Sequence, residues 1–219
     1  MPIKAIQQFM LGTVLNHKAQ ARETLGKMKE AGYDGIELCS FMIHPSGLLV
    51  QLITRAAGMP VGRGGKLDWP RLVKEAGLRV VSLLYHNHNC ELQWVNDDQR
   101  AYDILLSETD PAAVSFEFDS YWFTEGGANA LFWMERLGTR MKLWHINDRG
   151  TRLTGPAMTP ILKSDSMELG YGNMDLVPMV EQAKAVCVDA VILESHRNWV
   201  EKSPVKSFQR SAAFLKKYV

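Results

Sequence analysis

Strand-like and helix-like segments alternate along the whole chain, and nearly every strand ends on a polar, potentially reactive residue. "IKAIQQFML" has strand character, and "KAQARETLGKMKEAG" then has helical spacing, with Ala21, Leu25, Met28 and Ala31 on one stripe and Gly32 as C-cap. "YDGIELCS" is a second strand. "GLLVQLITRAAG" (47–58) is helix-compatible, and the glycine-rich connection "MPVGRGGK" follows it. "LDWPRLVKEAG" is a short helix with Asp68 as N-cap, leading into the strand "LRVVSLLYH". The helix "DDQRAYDILLSETD", the strand "AVSFEFDSYW", the helix "ANALFWMERLG" and the strand "MKLWHIND" come next. A connection over roughly 149–173 leads to the helix "LVPMVEQAKAV", the strand "DAVILESH" and the closing helix "PVKSFQRSAAFLKKY". Six strands result, at roughly 4–10, 34–39, 78–86, 114–119, 141–147 and 189–194. Such alternation with short connections predicts βαβ units and a parallel sheet.

The polar residues Glu37, His86, His88, Asp119, His145, Asp148, Glu194 and His196 all fall at C-terminal strand ends. Both TIM barrels and open α/β sheets build their sites there. No glycine fingerprint follows the first strand, and "GRGGK" lacks the Walker spacing, so a barrel is favoured over dinucleotide-binding and P-loop folds.

A chain of 219 residues is long enough for one sizeable core, and no linker or composition break divides it, so 1–219 is expected to be a single domain. With 25 basic against 24 acidic residues the formal net charge is +1. That balance gives no electrostatic reason to expect a nucleic acid or an anionic membrane as partner. No apolar run approaches the length of a membrane span. Cys39, Cys90 and Cys187 are widely spaced and odd in number, which suits reduced thiols. Together with an N-terminus that lacks a signal-peptide pattern, this points to the cytoplasm.

Within "YHNHNCEL", His86 and His88 share one face of a strand, because side chains alternate. Glu117 and Asp119 share a face of "FEFD", and two acids there are costly to bury unless paired with a cation or bound to a metal. A salt bridge to a neighbouring Lys or Arg would also serve. His145 alone reads as a structural histidine, but acids at the same level on other strands make it a ligand candidate. Glu194 ends an almost wholly apolar strand, and His196 shares its face. Oxygen and nitrogen donors without cysteine suit Mn²⁺, Mg²⁺, Co²⁺ or Zn²⁺. One such ion flanked by carboxylates suggests proton abstraction next to a polarised carbonyl.

"GYDGIEL", "YHNHNCEL", "FEFDSYW", "WHIND", "ELGYGNMD" and "ILES", in that order, resemble the sugar phosphate isomerase/epimerase family, the xylose isomerase-like TIM barrels related to endonuclease IV. The resemblance spans most of the chain. It implies a divalent-metal-dependent isomerase or epimerase acting on a sugar or polyol through a metal-stabilised enediolate. It implies one metal ion, held by His86, Asp119, His145 and Glu194, with His86 standing where many relatives have Glu. By the same resemblance Glu194 would double as acid/base, and the partner base would be Glu91 or, second, His88. Trp122 and Glu168 match rim positions near the substrate, Asp148 and Arg149 follow the histidine ligand where they would grip hydroxyls or a carboxylate, and Glu37 matches a family position that is either structural or functional. The near-neutral charge counts against endonuclease-like DNA processing.

The family has eight strands. Here "EAGLRVVSL", similar to its third, runs directly into "YHNHNCEL", similar to the end of its fifth. Either two βα units are missing at about Leu84, or the third strand itself carries the "YHNH" tip. The expected fold is an incomplete TIM-barrel-like α/β barrel of about six strands. Its open side would be protected by a second copy in a homodimer. The alternative function is a non-catalytic remnant that binds sugar or serves as a subunit.

Overall fold

The computed structural model describes residues 2–38, 67–81, 84–112, 114–153 and 162–219. The expected helix 47–58, the connection 59–66 and Cys39 lie outside them. The strands are β1 (Ile3–Gln7), β2 (Gly35–Glu37), β3 (Arg79–Val81), β4 (Tyr85–His86), β5 (Phe116–Asp119), β6 (Met141–Ile146), β7 (Asp148–Gly150), β8 (Asp165–Met167) and β9 (Ala190–Leu193). The helices are α1 (Lys18–Ala31), α2 (Trp69–Glu75), α3 (Ala101–Glu108), α4 (Ser120–Glu125), α5 (Ala130–Leu137), α6 (Leu176–Ala185) and α7 (Pro204–Tyr218).

Seven strands form one sheet in the order β3-β2-β1-β9-β6-β5-β4, and every pairing in it is parallel. Its two edges, β3 and β4, are separated in the chain by only three residues. Laid flat, seven strands would place those edges about 29 Å apart. The four Cα steps from Val81 to Tyr85 reach about 14 Å at most. The sheet must therefore curl until its edges approach each other, giving an incomplete TIM-barrel-like fold. The run expected as one strand, 78–86, is shared between two neighbours: its first half pairs with β2 and its tip with β5. The "YHNH" tip therefore starts on a strand of its own, β4, at the opposite edge from β3, and the sheet has seven strands instead of six.

The strands divide their side chains between two cores. Ile6, Ile36, Phe116, Phe118, Trp144, Ile146, Val191 and Leu193 face outward into the main core with the helices. Ala5, Leu143, Ala190 and Ile192, with Ile3 and Leu84 against them, form a small apolar floor inside the curl. Each strand alternates between these two sets, as the pleat requires. Gly32 caps α1 at φ 96°, and the Asp68 carboxylate accepts the Arg71 N–H at the start of α2, both as expected. The connection after β6 contains an antiparallel ribbon, β7 with β8, that the sequence did not announce.

Candidate active site

Continuing the inward alternation above the apolar floor places Glu37 at the end of β2, His86 on β4, Glu117 and Asp119 on β5, His145 on β6 and Glu194 just past β9. His145 is fully buried at the centre. Its Nδ1 lies 2.7 Å from Glu194 Oε2 and 3.8 Å from Asp119 Oδ2. Its Nε2 lies 2.7 Å from Glu37 Oε2 and 3.2 Å from Glu117 Oε1. His86 presents Nε2 to Asp119 Oδ2 at 3.9 Å and Nδ1 to Glu117 Oε2 at 3.7 Å. One donor atom from each of His86, Asp119, His145 and Glu194 falls within 4.8 Å of all the others, and Glu37, Glu117 and His145 make a second such group.

Local structure fixes these positions. Asp119 is the N-cap of α4: its Oδ1 accepts the Trp122 N–H at 3.0 Å, which leaves Oδ2 for the cluster. Asn87 continues the β4–β5 ladder with its side chain. Its Nδ2 donates to the Asp119 carbonyl at 3.0 Å and its Oδ1 accepts the Asp119 N–H at 2.9 Å. This two-way amide staple holds His86 and Asp119 at one level, and no local pattern in the sequence marks Asn87 for it.

The electrostatics are those of too many acids for the available positive charge. Burial opposes charging of His145, but the Glu37, Glu194 and Glu117 carboxylates together hold its pKa well above the usual imidazole value. Burial and the neighbouring His145 push His86 down to about 3, so its imidazole is neutral. Burial raises Glu37 and, with the adjacent Glu194, raises Asp119 well above the usual carboxylate range. Glu194 goes the other way: against the cost of burial, His196 and His145 hold it well below its ordinary value. His196 Nε2 reaches Glu194 Oε1 at 2.5 Å. Among the described residues, both Glu117 oxygens and His86 Nδ1 are buried without a hydrogen-bond partner. Buried orphans of this kind are costly, and a donor set of imidazole nitrogens and carboxylate oxygens fits a divalent cation.

No protein-family model matches the sequence, and no curated protein matches it. Solved structures do match. A sugar phosphate isomerase/epimerase from Parabacteroides distasonis aligns over 98% of this chain and 98% of its own, with TM-score 0.69 and 18% identity. A xylose isomerase domain protein from Alicyclobacillus acidocaldarius aligns over 100% and 98%, with TM-score 0.53 and 15% identity. The fold is that of the xylose isomerase-like TIM barrels. An L-ribulose 3-epimerase shares it at TM-score 0.53 and 12% identity, over 99% of this chain and 94% of that one.

In this xylose isomerase-like barrel, two further sequence candidates stand at the mouth. The Trp122 ring lies between His88 and His196, 5.5 Å from each, and His88 also packs 5.0 Å from His86. The remaining candidates are engaged elsewhere. Both Glu91 oxygens are occupied: Oε1 accepts the Tyr85 hydroxyl at 3.0 Å, and Oε2 accepts the His88 N–H at 2.9 Å and the Cys90 thiol at 3.1 Å. Tyr85 is adjacent to inward-facing His86 and packs on outward-facing Phe116, so Glu91 is held on the helix side of the sheet. The Asp148 carboxylate is 1% exposed and accepts four backbone N–H groups, from Arg149, Gly170, Gly172 and Met174. Arg149 donates to Glu125 at 2.6 Å, and Glu168 binds Arg152 and the Val200 N–H. Asp148 and Glu168 therefore organise the loops above the sheet with both of their carboxylate oxygens, whereas Arg149 commits its Nε to Glu125. Glu117 was legible only as sharing the Asp119 face. Glu37 was legible only as a residue of two possible roles.

Proposed function

We propose that this chain is a divalent-metal-dependent isomerase or epimerase of a sugar or related polyol. One ion, Mn²⁺, Mg²⁺, Co²⁺ or Zn²⁺, would be held by His86, Asp119, His145 and Glu194. The observation that carries this reading is the convergence of those four side chains within 4.8 Å, in a buried cluster with more carboxylates than neighbouring positive groups can neutralise. Such an ion supplies Lewis-acid polarisation of a substrate oxygen.

The chain's own residues supply the rest. Trp122, at the mouth, offers an aromatic face against which the C–H face of a sugar can lie. Glu194, ionised between two imidazoles, is placed to take a proton from carbon. His88, on the other side of Trp122, is the partner that returns one. Glu91, the first choice from the sequence, is held on the helix side of the sheet by three local hydrogen bonds, so His88 is preferred to it here.

Metal analysis of protein purified without chelator tests the reading. It expects about one ion per chain, a thermal shift on adding Mn²⁺, and loss of both in Asp119→Ala and Glu194→Ala. No ion and no shift would end it. One observation favours the non-catalytic alternative: the loop acids assigned to substrate are spent on structure. Incorporation of solvent deuterium at the carbon next to a ketose carbonyl would exclude that alternative, whereas sugar binding without exchange would establish it. A homodimer covering the β3–β4 seam belongs to the same proposal, and light scattering showing a monomer would remove it.

A further inference from the structure

Two buried acids beside the four proposed ligands, Glu37 and Glu117, have no part in that reading. Neither is near a lysine or arginine in any ion pair among the described residues; their ionic neighbours are His145 for both and His86 for Glu117. Each imidazole of the cluster has two nitrogens, and only one of them points at the proposed ion position. His145 turns Nδ1 toward Asp119 and Glu194 and Nε2 toward Glu37, at 2.7 Å. His86 turns Nε2 toward Asp119 and Nδ1 toward Glu117. His86 Nδ1 and Glu117 Oε2 are both buried, both lack a hydrogen-bond partner, and face each other at 3.7 Å. A movement of under about 1 Å would make them a hydrogen bond.

We infer that Glu37 and Glu117 are positioning residues that accept the far-side N–H groups of His145 and His86, and so commit His145 Nδ1 and His86 Nε2 to a bound divalent cation. This rests on the assignment of those two histidines as ligands. The physical reason is the tautomer. A neutral imidazole carries one N–H and one lone pair, and an acceptor fixed on one nitrogen leaves the lone pair on the other. A carboxylate in that place also raises the basicity of the ligating nitrogen and locks the ring plane. The rival arrangement is a second ion among Glu37, Glu117 and His145 Nε2, whose donor atoms are close enough for one. With an ion already on Nδ1, it would require His145 to give up both ring protons, and it would break the 2.7 Å contact to Glu37.

Cobalt binding separates these cases, read by metal content, competition titration and the visible d–d spectrum. For wild type, one Co²⁺ per chain is expected. For Glu37→Gln and Glu117→Gln, one Co²⁺ is still expected, with Kd raised about 10- to 100-fold and the d–d bands displaced. Glu37→Asp, which keeps the carboxylate, should recover part of the affinity. In the Zn²⁺-loaded protein, nitrogen-15 correlation spectra should show His145 protonated on Nε2, with that proton's shift altered in Glu37→Gln. Metal-free Glu117→Gln should unfold at or above the wild-type temperature, since it removes one of the buried carboxylates in excess of the cluster's positive charge; that keeps a folding defect from being mistaken for a positioning effect. Wild type binding one ion while both variants keep its affinity would overturn this inference alone. Two ions in wild type falling to one in the variants would overturn it in favour of a second metal site. No ion in wild type would overturn the proposed function, and this inference with it.

Discussion

Asp148→Asn separates a loop anchor from a substrate ligand. In the structure Asp148 Oδ1 accepts the Arg149 N–H at 2.8 Å and the Met174 N–H at 3.1 Å. Oδ2 accepts the Gly170 N–H at 3.0 Å and the Gly172 N–H at 2.9 Å. All four positions are donors, so the carboxylate is the right shape and charge, and an amide is not. Asparagine must turn its NH₂ toward one pair of N–H groups, losing two charge-assisted hydrogen bonds and setting donor against donor. At ~1.5–3 kcal/mol per charged bond, with some recovery through water, the loss is about 3–4 kcal/mol. For a domain of this size, 1 kcal/mol moves Tm by about 2–4 °C, so a fall of about 6–16 °C is expected in a calorimetric scan of the metal-free protein. Hydrogen exchange should quicken at the amides of Gly170, Gly172 and Met174. A variant that melts within about 2 °C of wild type and shows a raised KM would refute the anchoring role and restore Asp148 to the substrate.

The same loop makes a second prediction. A Cβ on Gly172 would fall inside contact distance of both the Asp148 carboxylate and the Arg149 backbone carbonyl, so Gly172→Ala should destabilise by about 1–3 kcal/mol in denaturant unfolding. Unchanged stability there would mean that the loop sits differently. Glu168 gives a pH dependence: burial pushes its pKa up, but the Val200 N–H, Ser207 and Arg152 outweigh it and hold the carboxyl below its ordinary 4.5. A depressed folded-state pKa contributes stability that is present above 4.5 and is lost as pH falls through the lowered value. Glu168→Gln should therefore flatten the acid limb of Tm against pH, and an unchanged limb would show that Glu168 does not carry it. Asn87→Ala removes both bonds of the β4–β5 staple, and thermal unfolding should fall by about 2–4 kcal/mol with weaker metal binding. Loss of stability with unaltered metal affinity would show that the His86 position does not depend on Asn87.

Local pattern carried much of this fold into the sequence. The strand–helix alternation depends on side-chain periodicity within a dozen residues, and the stripe of Ala21, Leu25 and Met28 and the caps Asp68 and Gly32 are local in the same sense. That His86 and His88, or Glu117 and Asp119, share a strand face needed only the two-residue repeat of a strand, whereas the grouping of His86, Asp119, His145 and Glu194 was implied by the resemblance to the isomerase/epimerase motifs. The division of 78–86 was not legible as an outcome. Its two halves look alike locally, and only the demand that each edge of a curled sheet find a neighbour assigns one to β2 and the other to β5.

Roles that depend on a partner's position were the ones the sequence did not show. Glu91, Asp148 and Glu168 are acids near strand ends, as a substrate ligand would be, but hydrogen-bond partners brought in by folding occupy them. Glu37 and Glu117 have the opposite history: nothing local distinguishes them from structural acids, and only the tertiary fold sets them beside His145 and His86. The sequence alone determined which faces the side chains take, because that is written in backbone geometry. Only the tertiary structure decided which polar atoms are satisfied and which are left facing the cluster. Satisfaction is a property of pairs, and those pairs lie as many as 108 residues apart.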